Sequence, residues 1–339
     1  MKTTATISKR IKNLLSYDWI KIILSIVAGI IVWSLLFTTL GTRITVGQEF
    51  YFHTYDNVFT AGSVERNQEV LDNIKKKGYF SYDLLKLSTS NIVSAGQYSA
   101  SYMLSLKRST SEGDVMIISD ERAETKTENA EQADIISLVN SYYFYDIETL
   151  LKSAKDYCIN NDFVVEKLDG SWAINEEAIK DYFLNTRIVG KGKGNYRKTY
   201  RTAQQKAMGV QNEYNRIKLL YENYLYVSTA IEKAIKAGND FLWYGELYTY
   251  DSLGKKVEDL TEIKPFGIDL YKLNQPFLED STVPKVEDTW FTYADGVPTA
   301  EGLVACVFDF HSEQEDLQYE TLGFLRYLIE TYSRYNVNV

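Results

Sequence analysis

Cysteine, histidine and proline are scarce in this chain of 339 residues, at two, two and four. With only His53 and His311, a multi-histidine metal centre cannot be built. Neither a His-x-x-Glu-His nor a Cys-x-x-Cys spacing occurs, so no metal and no cofactor is expected. Cys158 and Cys306 lie far apart, and Cys306 falls in the apolar run LVACVFDF, where a thiol behaves as a small buried hydrophobe. No disulfide between them is expected. There is no Gly-x-Ser-x-Gly elbow and neither cysteine neighbours a histidine, which argues against an enzyme. The formal charge of −9 leaves no net cationic face of the kind nucleic acid requires.

A long apolar run is present instead. Residues 19–40, WIKIILSIVAGIIVWSLLFTTL, hold about nineteen nearly uninterrupted apolar positions between Lys21 and Arg43, the length of a membrane-crossing helix. Lys2, Lys9, Arg10, Lys12 and Lys21 precede it and only Arg43 closely follows. The positive-inside rule then leaves residues 1–18 as a cytoplasmic tail and the main domain outside, in a single-pass cell-membrane protein. The run is longer than a signal-peptide core and no clear small-x-small site follows, so an uncleaved anchor is expected.

Beyond the anchor, residues 44–55 alternate as a strand and residues 64–77 carry Val64, Val70, Leu71 and Ile74 on one helical face before Gly78. Residues 79–88 read as a strand, 97–108 as a helix, and 114–119, DVMIIS, as an apolar strand of the kind covered on both faces. Strand, helix, strand, helix, strand predicts a doubly wound α/β unit. Ligands of such sheets bind beyond the carboxyl ends of the strands. That makes Tyr55 and Asp56 after the first strand, and Asp120 and Glu121 after the third, candidate ligand-binding residues.

Charged residues 121–131 read as a surface segment, and 146–158 as a helix. Residues 163–168 and 171–174 form a hairpin around Asp169-Gly170, and Asn175 caps a helix over 176–186. GKGKGNYRK (190–198) lacks phosphate-loop spacing and reads as a basic loop. From Tyr200 to Ile235 apolar residues recur about every 3.5 positions, predicting one long helix or two, with a break at Gly209. Residues 241–250 form an aromatic strand, 303–310 another apolar one, and 317–332 the last helix. Asp309, His311 and Glu313 share one face if their segment is extended, and Glu315 and Asp316 follow; Asp309 and His311 join the candidate ligands, while a hydrolase or metal site here is a generic pattern.

The α/β start, the stretch from Ser111 through Gly113-Asp114 to Ile118, the helical middle and the closing helix with Glu320, Phe324, Leu325, Leu328 and Ile329 together resemble the extracellular solute-binding proteins of ABC importers, those of the type 2 periplasmic-binding fold. The resemblance spans about residues 44–335. It implies a two-lobed domain closing on a solute: 41–120 in the first α/β lobe, 121–240 a second, largely helical lobe, and 241–339 a return segment. Sugar-binding members stack the ligand on aromatics, which would be Trp243, Tyr244 and Trp290 here, with permease subunits as partners. The alternative function is a membrane-tethered structural or regulatory interaction protein that uses the 200–235 stripe as its partner surface.

Overall fold

The computed structural model describes residues 19–40, 44, 47–55, 63–92, 100–120, 135–189, 199–253, 255–275, 282–286, 292–294, 297–311 and 319–333. The basic loop 190–198 and the charged segment 121–131 lie outside them. The chain divides into two units, residues 1–43 and 44–339.

The first unit contains helix α1 (Trp19–Leu40). Its 22 residues extend about 33 Å at 1.5 Å per residue. Apart from Ile22, whose side chain is outside the described residues, large apolar side chains from Trp19 to Leu35 stand 44–65% exposed. Side chains 36–40 lie outside the described residues, and among the described residues no helix is long and apolar enough to cross a membrane.

In the second unit the chain alternates as its apolar pattern predicts, through β1 (Glu49–Tyr55), α2 (Ser63–Lys76), β2 (Lys86–Ile92), α3 (Ala100–Ser109) and β3 (Val115–Ser119). α2 stops where expected: Gly78 takes φ +80, and the N–H groups of Gly78 and Tyr79 close on the carbonyls of Lys75 and Ile74 in a Schellman motif. The second strand begins seven residues later than its apolar onset at Tyr79 suggests. Residues 79–85 bury Phe80 and Leu84 in turns instead, before Leu85 N–H and Lys86 N–H both donate to the Gln48 carbonyl.

Next come α4 (Ile135–Asn140), α5 (Ile147–Asn160), the hairpin β4 (Val164–Glu166) and β5 (Trp172–Ile174), α6 (Glu176–Tyr182), a π-helical turn Phe183–Arg187, and α7 (Ala203–Lys236). β6 (Leu242–Tyr250), β7 (Lys256–Asp269), α8 (Leu270–Asn274), the small pair β8 (Thr292–Ala294) and β9 (Val297–Thr299), β10 (Leu303–Val307) and α9 (Glu320–Tyr332) complete the described elements. One six-stranded sheet runs β2-β1-β3-β10-β7-β6. β1 is parallel to both β2 and β3, whereas β10, β7 and β6 pair antiparallel to their neighbours. The result is a mixed α/β fold.

Because strand side chains alternate, the sheet feeds two separate cores. Phe50, Phe52, Val115, Ile117 and Ala305 face α2, α5, α7 and α9, while Tyr55, Met116, Ile118, Val304 and Cys306 face α3 and α4. Cys158 and Cys306 are free and sit in opposite cores. Ile217, Tyr221 and Val227 of α7 share a core with the sheet.

α7 does not break at Gly209. It starts with a Thr202–Gln205 capping box and runs 34 residues. Gly209 permits close packing rather than a kink: a Cβ there would lie 2.4 Å from Phe183 Cζ and 2.7 Å from Tyr200 Cε1. The π-helical turn delivers Arg187 into a buried ionic network, with Nη2 2.6 Å from Asp83 Oδ2 and Nε 3.3 Å from Glu213 Oε2. Arg216 Nη2 adds contacts at 2.7 Å to Glu213 Oε1 and 3.1 Å to the Tyr157 hydroxyl.

Candidate functional site

The carboxyl ends of β1 and β2 lie side by side, and α2 packs on the sheet face that carries Phe50 and Phe52. Thr54 lies beside Asn91 of β2 and Ile117 of β3 in the sheet register. It continues the face of Phe50 and Phe52, so its hydroxyl points toward the α2 layer. Asn67 occupies the same α2 stripe as Val70, Leu71 and Ile74, which bury against that face. Thr54 is 0% and Asn67 1% exposed. Thr54 Oγ1, Asn91 Oδ1 and both polar atoms of the Asn67 amide are buried with no hydrogen-bond partner among the described residues.

Buried polar groups are ordinarily paired, and leaving one unpaired costs about 1–3 kcal/mol. Thr54 and Asn91 are neighbours at the carboxyl end of the sheet, the end where open α/β sheets take ligands, and Asn67 lies on the stripe of α2 that packs on the face of Phe50 and Phe52. A hydroxyl and two carboxamides both donate and accept, and none carries charge. They therefore match the hydroxyls of a neutral polar solute better than an ion, which would lack a counter-charge on burial.

Of the residues expected at this end, Asp56 and Glu121 lie outside the described residues, as does Trp290. Tyr55 is 3% exposed and belongs to the α3 and α4 core. Asp120 and Trp243 do come together: the indole Nε1–H donates to Asp120 Oδ2 at 2.6 Å, and Asp120 N–H donates to the Gly302 carbonyl at 2.6 Å. This contact is packing. Trp243 is 3% exposed within the second core and covers Gly245, where a Cβ would meet its ring at 2.8 Å. The expectation that Trp243 and Tyr244 jointly line a cleft is thus corrected, because neighbours on a strand face opposite ways. Tyr244 is half exposed and its hydroxyl donates to Asp240 Oδ2 at 2.6 Å.

Asp309 and His311 lie at the other end of the sheet from Tyr55 and Asp120. β10 runs antiparallel to β3, with Leu303 opposite Ser119 and Val307 opposite Val115, so the chain beyond Val307 emerges at the amino end of β3. The grouping of all these residues in one ligand site is therefore corrected as well. Glu313, Glu315 and Asp316 are outside the described residues, among which no group of three His, Cys, Asp or Glu could hold a metal.

His311 Nε2 lies 3.6 Å from Asp114 Oδ1, and Asp114 Oδ2 accepts the Tyr51 N–H at 2.7 Å. Burial pushes the Asp114 carboxyl up to about 8 and the His311 imidazole down to about 4. The distance suits an ion pair but these shifts do not, and with both groups so deeply buried we take the pair as a protonated carboxyl beside a neutral ring at pH 7. His53, buried nearby, is likewise lowered to about 4 by desolvation. Its Nε2 is 2.7 Å from the Glu112 carbonyl and its Nδ1 2.7 Å from Ser90 Oγ. A carbonyl only accepts, so Nε2 carries the proton and Nδ1 accepts from Ser90.

Thr54, Asn67 and Asn91 were not anticipated from the sequence, although a signal existed: Thr54 follows Phe50 and Phe52 on an apolar alternation, and Asn67 interrupts an otherwise apolar helical stripe. No protein-family model matches this chain, and neither a curated protein nor a solved structure matches it.

Proposed function

We propose that this chain is a membrane-anchored, extracytoplasmic binding protein for a small neutral polar solute of the carbohydrate class, serving an ABC-type importer. The observation that carries it is the set of buried atoms of Thr54 and Asn91, at the carboxyl ends of β1 and β2, and of Asn67 on α2 that have no partner among the described residues. Supporting the anchor are the 22 helical residues of α1, exposed around the helix, and the basic residues ahead of it. Supporting the importer role is the resemblance over residues 44–335, together with a parallel 2-1-3 strand order joined by an antiparallel return strand. Recognition rests on amide and hydroxyl groups, since the ring of Trp243 is enclosed. Closure of two lobes around the solute belongs to the same proposal.

Less favoured is the interaction-protein alternative: Ala203, Ala207 and Ile235 of the long stripe stay exposed, but its middle does not. Ile217, Leu220, Tyr221, Val227 and Ile231 of the long stripe are buried within the domain.

The test is thermal unfolding of the full-length protein in detergent with monosaccharides, oligosaccharides, amino acids and peptides. A ligand at a hundredfold excess over Kd stabilises the folded state by about 2.7 kcal/mol. Stabilisation by a sugar, lost in Asn67→Ala, is expected. Stabilisation by amino acids or peptides alone would refute the solute class, and crosslinking that captures no permease subunit would refute the importer role.

A further inference from the structure

α5 presents two chemically distinct faces. Leu150, Ala154, Tyr157 and Cys158 enter the core, whereas Thr149, Lys152, Ser153, Asp156 and Asn160 recur at helical spacing on another stripe. All five polar residues line one cavity of about 370 Å³, which Tyr319 closes at the start of α9. That volume is within the range of small-molecule sites.

The wall is fixed. The Tyr319 hydroxyl lies 2.8 Å from Ser153 Oγ and donates to the Ser153 carbonyl at 3.1 Å, and the Tyr319 ring packs 5.3 Å from that of Tyr157. The charges along this rim are not consumed by each other. Lys155 pairs with Glu166 at 3.0 Å, while Lys152 and Asp156, one turn apart, form no ion pair among the described residues. The cavity thus offers an ammonium donor, a carboxylate acceptor, the hydroxyls of Thr149 and Ser153 and the carboxamides of Asn160 and Asn161 beside Tyr157 and Tyr319.

We propose that this cavity is a second carbohydrate subsite, taking a neutral glycan unit whose adjacent hydroxyls accept from Lys152 and donate to Asp156. Each sugar hydroxyl both donates and accepts, so a donor and an acceptor one turn apart read neighbouring hydroxyls. It is separate from the Thr54 and Asn67 site and does not rest on the function proposed there. The glycan is either a free oligosaccharide or part of an insoluble polysaccharide.

The experiment is isothermal titration of the full-length protein, in an Asn67→Ala background that silences the other site, with maltotriose, cellotriose and xylotriose, and a pull-down on starch, cellulose and xylan. Binding of one trisaccharide or retention on one polymer is expected, weakened at least tenfold by Asp156→Asn and by Lys152→Met. Both positions are at least partly solvent-facing, so the variants fold. Retention without trisaccharide binding assigns the polymer as source. The proposal is overturned if none of the glycans binds at 10 mM on the order of a weak sugar site, if Asp156→Asn binds as well as its parent, or if glycine, a zwitterion, binds in their place.

Discussion

Asp114→Asn isolates the most perturbed carboxyl at the amino end of the sheet. Burial raises Asp114 from an ordinary 3.8 to about 8, with Glu320 and Glu49 adding repulsion and the Tyr51 N–H partly opposing it. Between these values the folded state keeps a proton that the unfolded state has released. Stability therefore falls as pH rises, by about 1.4 kcal/mol per unit, from roughly pH 4 until it levels near pH 8. The total is on the order of 5 kcal/mol. His53 and His311, lowered to about 4 from 6.5, act oppositely: they add stability as pH rises from about 4 to 6.5. Asparagine keeps the acceptor for Tyr51 and cannot ionise, so the histidine contributions cancel in the difference between variant and parent. Urea unfolding of residues 44–339 at pH 4.5, 6 and 7.5 measures that difference. The variant should gain on its parent steadily across this range. A constant difference, or a loss on approaching neutrality, would refute the burial argument.

Gly323→Ala should destabilise by about 3 kcal/mol or more in the same assay, because its Cβ would stand 2.2 Å from the Tyr79 carbonyl oxygen, and backbone cannot swing aside. Arg216→Met should cost about 3–5 kcal/mol by leaving Glu213 short of a partner, and Glu213→Leu in the same chain should restore part of it, both read as thermal midpoints. Thr54→Val should leave stability unchanged or raise it by up to about 1 kcal/mol, since the hydroxyl has no partner to lose, while weakening solute binding measured by titration.

The alternating start of the domain was legible because each element carries its own period and its own stop. Val70, Leu71 and Ile74 end at a glycine whose positive φ closes the helix, and the apolar run after Gly113 becomes the strand covered on both faces. Where local signals and packing compete, sequence is less informative. Tyr79 to Leu84 has strand composition, yet those side chains fill the core as turns, and Gly209 has the composition of a break but serves two aromatic rings. β7 went unanticipated over residues 256–264 because its sequence there, KVEDLTEIK, is polar; it is held mainly by pairing with β6. That pairing is nonlocal, and no pattern within the strand itself encodes it.

The candidate site obeys a different logic: the sequence pointed to acids after β1 and β3, whereas Thr54 and Asn91 stand at the ends of β1 and β2. Strand order alone points to the carboxyl ends of β1 and β3, and the loop acids were the conspicuous residues there. Acids on loops are what any solvated surface shows. The informative residues are polar groups in apolar positions, because a hydroxyl at Thr54 and an amide at Asn67 weaken the fold in which they are buried. Valine and leucine would fill the same places without that cost. Retaining groups that no described residue satisfies is intelligible if something outside the chain satisfies them, and that is the reason Thr54→Val should separate stability from binding where a core residue would lose both.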